Sequence, residues 1–216
     1  MTSKRRYEDR CGIAQALNVV GERWALLIVR DLVFGPKRFT DLQAGLPGVG
    51  SNRLTQRLHE LEATGVLRRR ALPPPAASQV YELTEWGREL DPILSALGVW
   101  GLRSPIEPEG GLGADSAMLG LRGFFDAGVL PAWTAVYEIR LGRDRFVVDV
   151  VDGHLTEVTR SQGEGSPDAV LETDPLTIGS LLGDRRAAAA ALDSGDLTVT
   201  GDIKAVRHLL DALTGR

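Results

Sequence analysis

The run GSNRLTQRLHELEATGVLRRR, residues 50–70, gathers the side chains of this chain best suited to recognition chemistry. Asn52 and Gln56 carry amides and Arg53 a guanidinium, the groups that pair bidentately with adenine and guanine edges in a major groove. A helix would position them. At about 100° of rotation per residue, Leu54, Leu58 and Leu61 fall within roughly 60° of one another and spell a buried side. Asn52, Gln56, His59 and Ala63 then lie opposite, with Arg53 on one flank and Thr55 on the other. Ser51 is placed to cap the helix and leave its first N–H groups facing a phosphate. Gly65 stops the helix, and a basic strand with Arg68, Arg69 and Arg70 follows. A polar outward face is also what any surface helix shows, so the reading turns on the neighbouring elements.

Those elements fit. Residues 39–46 form a second short helix with apolar Phe39, Leu42 and Leu46, and Pro47-Gly48-Val49-Gly50 makes a tight corner. Two short helices joined by a Gly-containing turn, the second with its polar face free, make a helix-turn-helix. Upstream, residues 13–20 read as a helix closed by Gly21, and 22–34 as a helix carrying Trp24, Leu27, Ile28, Asp31 and Leu32 and ended by Gly35-Pro36. Downstream, 66–71 and 79–83 read as strands around a loop at 72–78. A last helix from Thr84 to Trp100 places Leu90, Ile93, Leu94, Leu97 and Trp100 on one side, kinked at Pro92.

The chain has 216 residues, comfortable for two domains, and a hydrophobic fraction of 43% that excludes wholesale disorder. Its net charge of −4 argues by itself against a nucleic-acid partner, yet the charge is divided. Residues 1–103 hold 15 Lys+Arg against 11 Asp+Glu, and residues 104–216 hold 10 against 18. A front half able to approach phosphates and a back half with another task follow from that split. One cysteine, Cys11, forbids an internal disulfide and suits a reducing cytosol. The basic start MTSKRRYEDRC is followed by no apolar h-region, and no run approaches a membrane span, so a cytoplasmic protein is expected. Enzyme signatures are missing. His59, His154 and His208 are isolated, no HExxH or P-loop occurs, and Gly163-Glu164-Gly165-Ser166 supplies no nucleophile elbow. No catalytic residue, metal site or cofactor is expected.

Residues 104–116, rich in Pro, Gly and Ser, mark a linker between a first domain at 1–103 and a second at 117–216. In the second, Tyr137, Ile139 and Leu141 alternate with Glu138 and Arg140 as in a half-buried strand. Gly142-Arg143-Asp144 turns into a strand at 146–151, and Asp152-Gly153 signals a hairpin leading to 155–159. A strand at 169–173, a helix opened by Asp174-Pro175, helix at 187–192, a short strand at 197–199 and an amphipathic helix at 203–213 complete it. The fold class is α+β: a winged helix-turn-helix followed by an antiparallel sheet with helices.

With these residues placed, positions from about Arg10 to Gly101 resemble the HxlR-type winged helix-turn-helix regulators of bacteria. The fragments are Cys11, Gly21-Glu22-Arg23-Trp24, Arg38-Phe39, Leu46-Pro47-Gly48, Asn52-Arg53-Leu54-Thr55-Gln56-Arg57-Leu58, Glu62-Ala63-Thr64-Gly65-Val66-Leu67 and Tyr81-Glu82-Leu83-Thr84. Their order and spacing together are specific. The resemblance implies a homodimer, built largely from the first and last helices, that binds a pseudo-palindromic operator in double-stranded DNA, and a repressor is the expected sign of regulation. Ile13, Leu17, Leu90, Ile93, Leu94, Leu97 and Trp100 are then the dimer residues, an intradomain core being the alternative. Two-fold symmetry is how such proteins reach half-sites about 34–36 Å apart. The DNA-binding set is Arg38, Thr40, Ser51, Asn52, Arg53, Thr55, Gln56, Arg57, His59, Arg68 and Arg70. Wings of this family usually carry a basic or polar tip, whereas 71–78 here has no charge and three prolines. The wing's phosphate contacts therefore move to Arg68, Arg69 and Arg70, of which strand alternation lets only part face DNA. Gly12 also replaces the Pro common after the cysteine.

From about Met118 to Thr214 the chain is similar to the sterol-carrier-protein-like fold. The matching pieces are Tyr137-Glu138-Ile139-Arg140-Leu141-Gly142, Asp152-Gly153, the stretch from Pro167 to Pro175 and that from Ser194 to Asp202. That resemblance implies an apolar cavity able to hold a hydrophobic small-molecule effector; a cavity packed shut, in a domain serving dimer geometry, is the alternative. Cys11, beside Arg10 and following Lys4, Arg5 and Arg6, sits where a thiolate is favoured. Some members of the first family sense oxidants or electrophiles with this cysteine; a small residue packing the first helix is the plain alternative. The competing function is a lipid or hydrophobic small-molecule carrier whose front half serves only for dimerisation.

Overall fold

The computed structural model describes residues 6–73, 78–106, 109–128, 132–161, 163 and 165–214. The chain divides into two compact units, Met1–Leu94 and Ser95–Arg216, with the divide inside a helix. Lys4 and Arg5, the proline-rich wing tip at 74–77 and linker residues 107 and 108 lie outside the described residues.

In the first unit, α1 (Gly12–Val20) and α2 (Ala25–Leu32) precede the helix pair α3 (Phe39–Gly45) and α4 (Ser51–Ala63). The hairpin β1 (Leu67–Ala71) and β2 (Gln79–Leu83) forms the wing, and α5 (Glu85–Arg88) and α6 (Leu90–Gly101) follow. α2 starts later than the sequence implies, because Trp24 adopts a left-handed conformation at φ 79° and ends the preceding turn instead of opening a helix. α3 and α4 are joined as Leu46-Pro47-Gly48-Val49 predicts. Pro47 holds the second turn position, Gly48 takes φ 88°, and the Val49 N–H donates to the Leu46 carbonyl at 3.1 Å. Leu42, Leu54, Leu58 and Leu61 are fully buried with Ile28 and Val29 of α2, which fixes both short helices against one core. The last helix is not continuous. It breaks at Glu89, one turn before Pro92, whose ring cannot donate to the carbonyl four residues back. Gly87 is required just before that break, since a Cβ there would stand 2.0 Å from the Val66 carbonyl oxygen.

The second unit takes the end of α6 and then α7 (Ala114–Phe124), a helix absent from the sequence-based expectation, whose first turn lies in the expected linker. Then come β3 (Ala135–Leu141), β4 (Asp144–Val151), β5 (His154–Arg160), β6 (Ala169–Thr173), α8 (Pro175–Leu181), α9 (Arg185–Ser194), β7 (Thr198–Gly201) and α10 (Ile203–Thr214). The strands order as β5-β4-β3-β6-β7. The sheet is mixed, not purely antiparallel: β3 and β6 run parallel, because the chain passes from β5 at one edge of the sheet to the far side of β3 over residues 161–168 instead of turning back beside it. Asp152-Gly153 makes the expected hairpin, both residues at positive φ (50° and 75°) as a type I′ turn demands. Phe146, Val148 and Val150 alternate inward with Tyr137, Ile139 and Leu171, and Met118, Leu121, Ile178, Leu181, Leu209 and Leu213 of the helices are buried with them. Inside this core the Trp133 Nε1–H donates to the Tyr137 hydroxyl at 3.0 Å, which donates to the Ala205 carbonyl at 2.7 Å. Burial pushes the Tyr137 phenol up to about 12.

Candidate nucleic-acid interface

α4 presents two unlike surfaces along its length. In its first half Asn52, Arg53, Thr55 and Gln56 are exposed. Among the described residues Asn52, Arg53 and Thr55 have no side-chain partner, and Gln56 only donates to Glu60 Oε1 at 3.1 Å. Gly50, Asn52, Arg53 and Gln56 line an open concavity of about 450 Å³. Ser51 does not cap the helix. Gly50 is the cap residue, no side chain caps among the described residues, and the Ser51 hydroxyl accepts from Gln43 Nε2 of α3 at 2.6 Å. The first amide groups of α4 are thus left open to an anion, while the Gln43 bond sets the angle between the two helices.

The second half is occupied by its own neighbours. Arg57, expected to meet DNA, is instead buried and paired with Glu60 and, at 3.4 Å, with Glu22. The leucine stripe carries the reason: at about 100° per residue Arg57 lies roughly 40° from Leu61, nearer the core arc than Arg53. His59 is exposed but turned to the wing, its Nδ1 3.0 Å from Arg69 Nη2, with Glu62 Oε2 3.9 Å away.

The wing separates its three arginines as strand alternation requires. Arg69 packs toward α4, 3.0 Å from Glu62 and over the Tyr81 ring. Arg68 and Arg70 share the other face, where their Nε groups donate to the two oxygens of Glu82 at 2.8 and 2.9 Å. Burial raises the Glu82 carboxyl, but hydrogen bonds and charge from both arginines outweigh it and hold the group below the usual range. Lys37 and Tyr81 exchange backbone hydrogen bonds at 3.0 and 2.8 Å, which anchors the wing beside α3. Arg38 and Thr40 at the start of α3 are exposed, and Asp41 Oδ2 accepts from the Arg38 N–H. Glu82 and Glu22 are the site residues that the sequence reading did not single out. The alternation of Val80 and Glu82 opposite three arginines was the available signal for the first.

Cys11 is exposed at the cap position of α1. The N–H groups of Ala14 and Ile13, at the start of the helix, lower its thiol pKa. Of the expected dimer residues, Ile13, Leu17, Ile93, Leu97 and Trp100 are exposed, Trp100 by 70%, and Leu90 is half-buried. Leu94 is a correction: it is buried within its own chain. An apolar groove of about 510 Å³ runs between α1 and the start of α6, with Ala16, Val19, Trp86, Leu90 and Ile93 along it. Among the described residues no cluster of His, Cys, Asp and Glu could hold a metal ion, and no single helix is long and apolar enough to cross a membrane.

Comparison with known proteins agrees with this geometry. Residues 19–107 match the family described as HxlR-like helix-turn-helix, and residues 126–214 match the SCP-2 sterol transfer family. The HTH-type transcriptional regulator YvaP of Bacillus subtilis is 37% identical over 40% of this chain and 80% of its own length. YtcD of the same organism, also an HTH-type transcriptional regulator, is 37% identical over 45% of this chain and 76% of its own length. A solved chain, the redox regulator HypR in its oxidized form, is 31% identical over 45% of this chain and all of its own, with a TM-score of 0.42. The chain therefore belongs to the HxlR-like helix-turn-helix family of transcriptional regulators and carries, as its second half, an SCP-2 sterol transfer family domain.

Proposed function

We propose that this protein is a dimeric, cytoplasmic, non-enzymatic DNA-binding repressor that reads a pseudo-palindromic operator with the first half of α4. The observation that carries the reading is the exposed edge of Asn52, Arg53 and Gln56, the first two without a side-chain partner among the described residues, beside a helix start that no side chain caps. Amides and a guanidinium on that edge meet base edges in the major groove, while the amide groups of α4 receive a phosphate. Arg38, Thr40 and Thr55 flank it, and Arg68 and Arg70 approach the backbone from the wing.

Residues 1–103 are the DNA-binding and dimerisation portion, 104–116 the connection and 117–216 the effector domain. Dimerisation buries the apolar groove along α1 and exposed Ile13, Ile93, Leu97 and Trp100, which a monomer would leave in water. A hydrophobic effector in the second unit, or modification of Cys11, releases the operator by favouring a dimer with mismatched recognition helices. To release most of the DNA, such an input needs several kcal/mol of preference for that state. The exposed thiol at a helix start supports Cys11 as an input. Its test is alkylation by iodoacetamide, in which the thiolate displaces iodide: operator affinity should fall in the parent and not in Cys11→Ser. The carrier reading assigns no task to the exposed edge of α4.

A gel shift with the chain's own promoter region tests the main reading. Binding of two chains per operator, weakening steeply with salt, is the expected result. A strictly monomeric protein, or one indifferent to this DNA, refutes it.

A further inference from the structure

The wing contains one buried carboxylate that nothing in its own packing demands. Glu82 stands in β2 between Tyr81 and Leu83, its side chain 9% exposed, while the arginines it holds are 63% and 45% exposed. In register, Arg68 lies directly across from Glu82 and Arg70 across from Val80, so all four side chains share one face of the hairpin. Each carboxylate oxygen accepts from one Nε. That geometry fixes both stems, and among the described residues neither guanidinium has a further partner on its outer edge. The third arginine is engaged on the opposite face, where Glu62 and Tyr81 hold it as a brace between wing and α4. An apolar residue would fill the Glu82 position without desolvating a charge, since replacing buried ionic groups by well-packed apolar ones is often neutral or stabilising.

We propose that Glu82 is a positioning residue for DNA binding: its carboxylate sets the Arg68 and Arg70 side chains in parallel, so that their outer edges close on backbone phosphates of the duplex. This rests on the DNA-binding reading above. The cluster keeps a net charge of +1, and the two cations arrive already ordered, which removes part of the entropy cost of fixing long side chains on contact. The flank of the wing, and not its uncharged tip, is then the phosphate-binding part.

The sign of one substitution separates this from plain electrostatics. Glu82→Gln adds a unit of positive charge, so a carboxylate that merely opposes DNA would, when removed, tighten binding. Positioning predicts the reverse. Fluorescence anisotropy of a labelled duplex from the chain's own promoter, titrated with full-length protein across a range of KCl, supplies the reading. Arg68→Ala and Arg70→Ala should each flatten the slope of log affinity against log salt by about 0.9. Glu82→Gln should bind roughly three- to tenfold more weakly despite its added charge. In an Arg68→Ala/Arg70→Ala background the same substitution should change nothing, an outcome that a purely structural role would not give. Circular dichroism confirms folding, and Glu82→Met, which conserves volume, serves if the Gln variant melts. Equal or tighter binding by the Glu82 variants, or an undiminished loss in the double background, overturns the proposal. Silent Arg68 and Arg70 variants alongside a weakened Arg53→Ala overturn it and leave the DNA reading standing. A parent protein that binds no DNA overturns both.

Discussion

Two clusters built from the same chemistry do opposite things in the two units. In the wing, one carboxylate holds two arginines; in the second unit, one arginine is held by two carboxylates. Arg160 of β5 lies over the Phe146 ring, 2.5 Å from Asp115 and 2.6 Å from Asp144. Burial disfavours its charge, but Asp115 and Asp144 outweigh that and raise its pKa. That cluster carries −1 and ties α7 to two strands. The wing cluster carries +1, and its cations face outward. The count of partners decides whether an ion pair closes a core or presents a charge, and it follows the division of net charge between the halves of the sequence.

Substitutions should therefore sort into those that lower stability and those that lower DNA affinity. The largest effect is expected at Arg160. Arg160→Met removes the charge facing buried Asp115 and should destabilise the second unit by about 3 kcal/mol in urea, without altering base preference. An unchanged unfolding midpoint would break the comparison. Next come Arg53→Ala and Gln56→Ala, each expected to lower operator affinity by about 1–3 kcal/mol while leaving unfolding alone. Arg57 sits in the same helix as these two but belongs with Arg160. Arg57→Met should shift the melting temperature and leave sequence preference intact, because Glu22 and Glu60 already occupy its guanidinium.

A smaller loss is expected at Asp174, whose carboxylate accepts from the Leu176 and Thr177 N–H groups at 2.8 and 3.1 Å and opens α8. Asp174→Ala should cost about 1 kcal/mol by thermal melting. The smallest effect is with pH. Hydrogen bonding from Thr177 holds Asp174, and pairing with Arg68 and Arg70 holds Glu82, below ordinary carboxylate values. A depressed carboxylate stabilises the fold above its unfolded pKa, and that contribution drains away as pH falls through the depressed folded value. Both losses should thus appear below about pH 4, and Asp174→Asn should abolish its share.

Much of this architecture could be read in advance where the signal is local. The Leu54, Leu58 and Leu61 stripe placed α4, Pro47-Gly48 its turn, Asp152-Gly153 the hairpin and Asp174-Pro175 the start of α8. Each is a short-range rule of rotation, φ preference or capping. What stayed hidden depends on residues far apart in sequence. The parallel pairing of β3 with β6 joins strands separated by two others, and Arg160 meets Asp115 across 45 positions. The left-handed Trp24 is imposed by its surroundings against its own preference. Two omissions had a usable signal. Arg57 lies roughly 40° from the edge of the leucine arc by simple rotation, and Ala117, Met118 and Leu121 of α7 repeat at helical spacing just past the glycine-rich stretch read as a linker. For the interface, residue types identified the edge of α4, while the register that joins Glu82 to Arg68 and Arg70 needed the folded hairpin.

Base reading is the role proposed for the first half of α4. Selection from a duplex pool randomised across the operator, carried out with the parent, Arg53→Ala and Gln56→Ala, tests it most directly. Two half-sites about one helical turn apart are expected, with each variant losing preference at one base position in both. Variants that select the same sequence as the parent would contradict it.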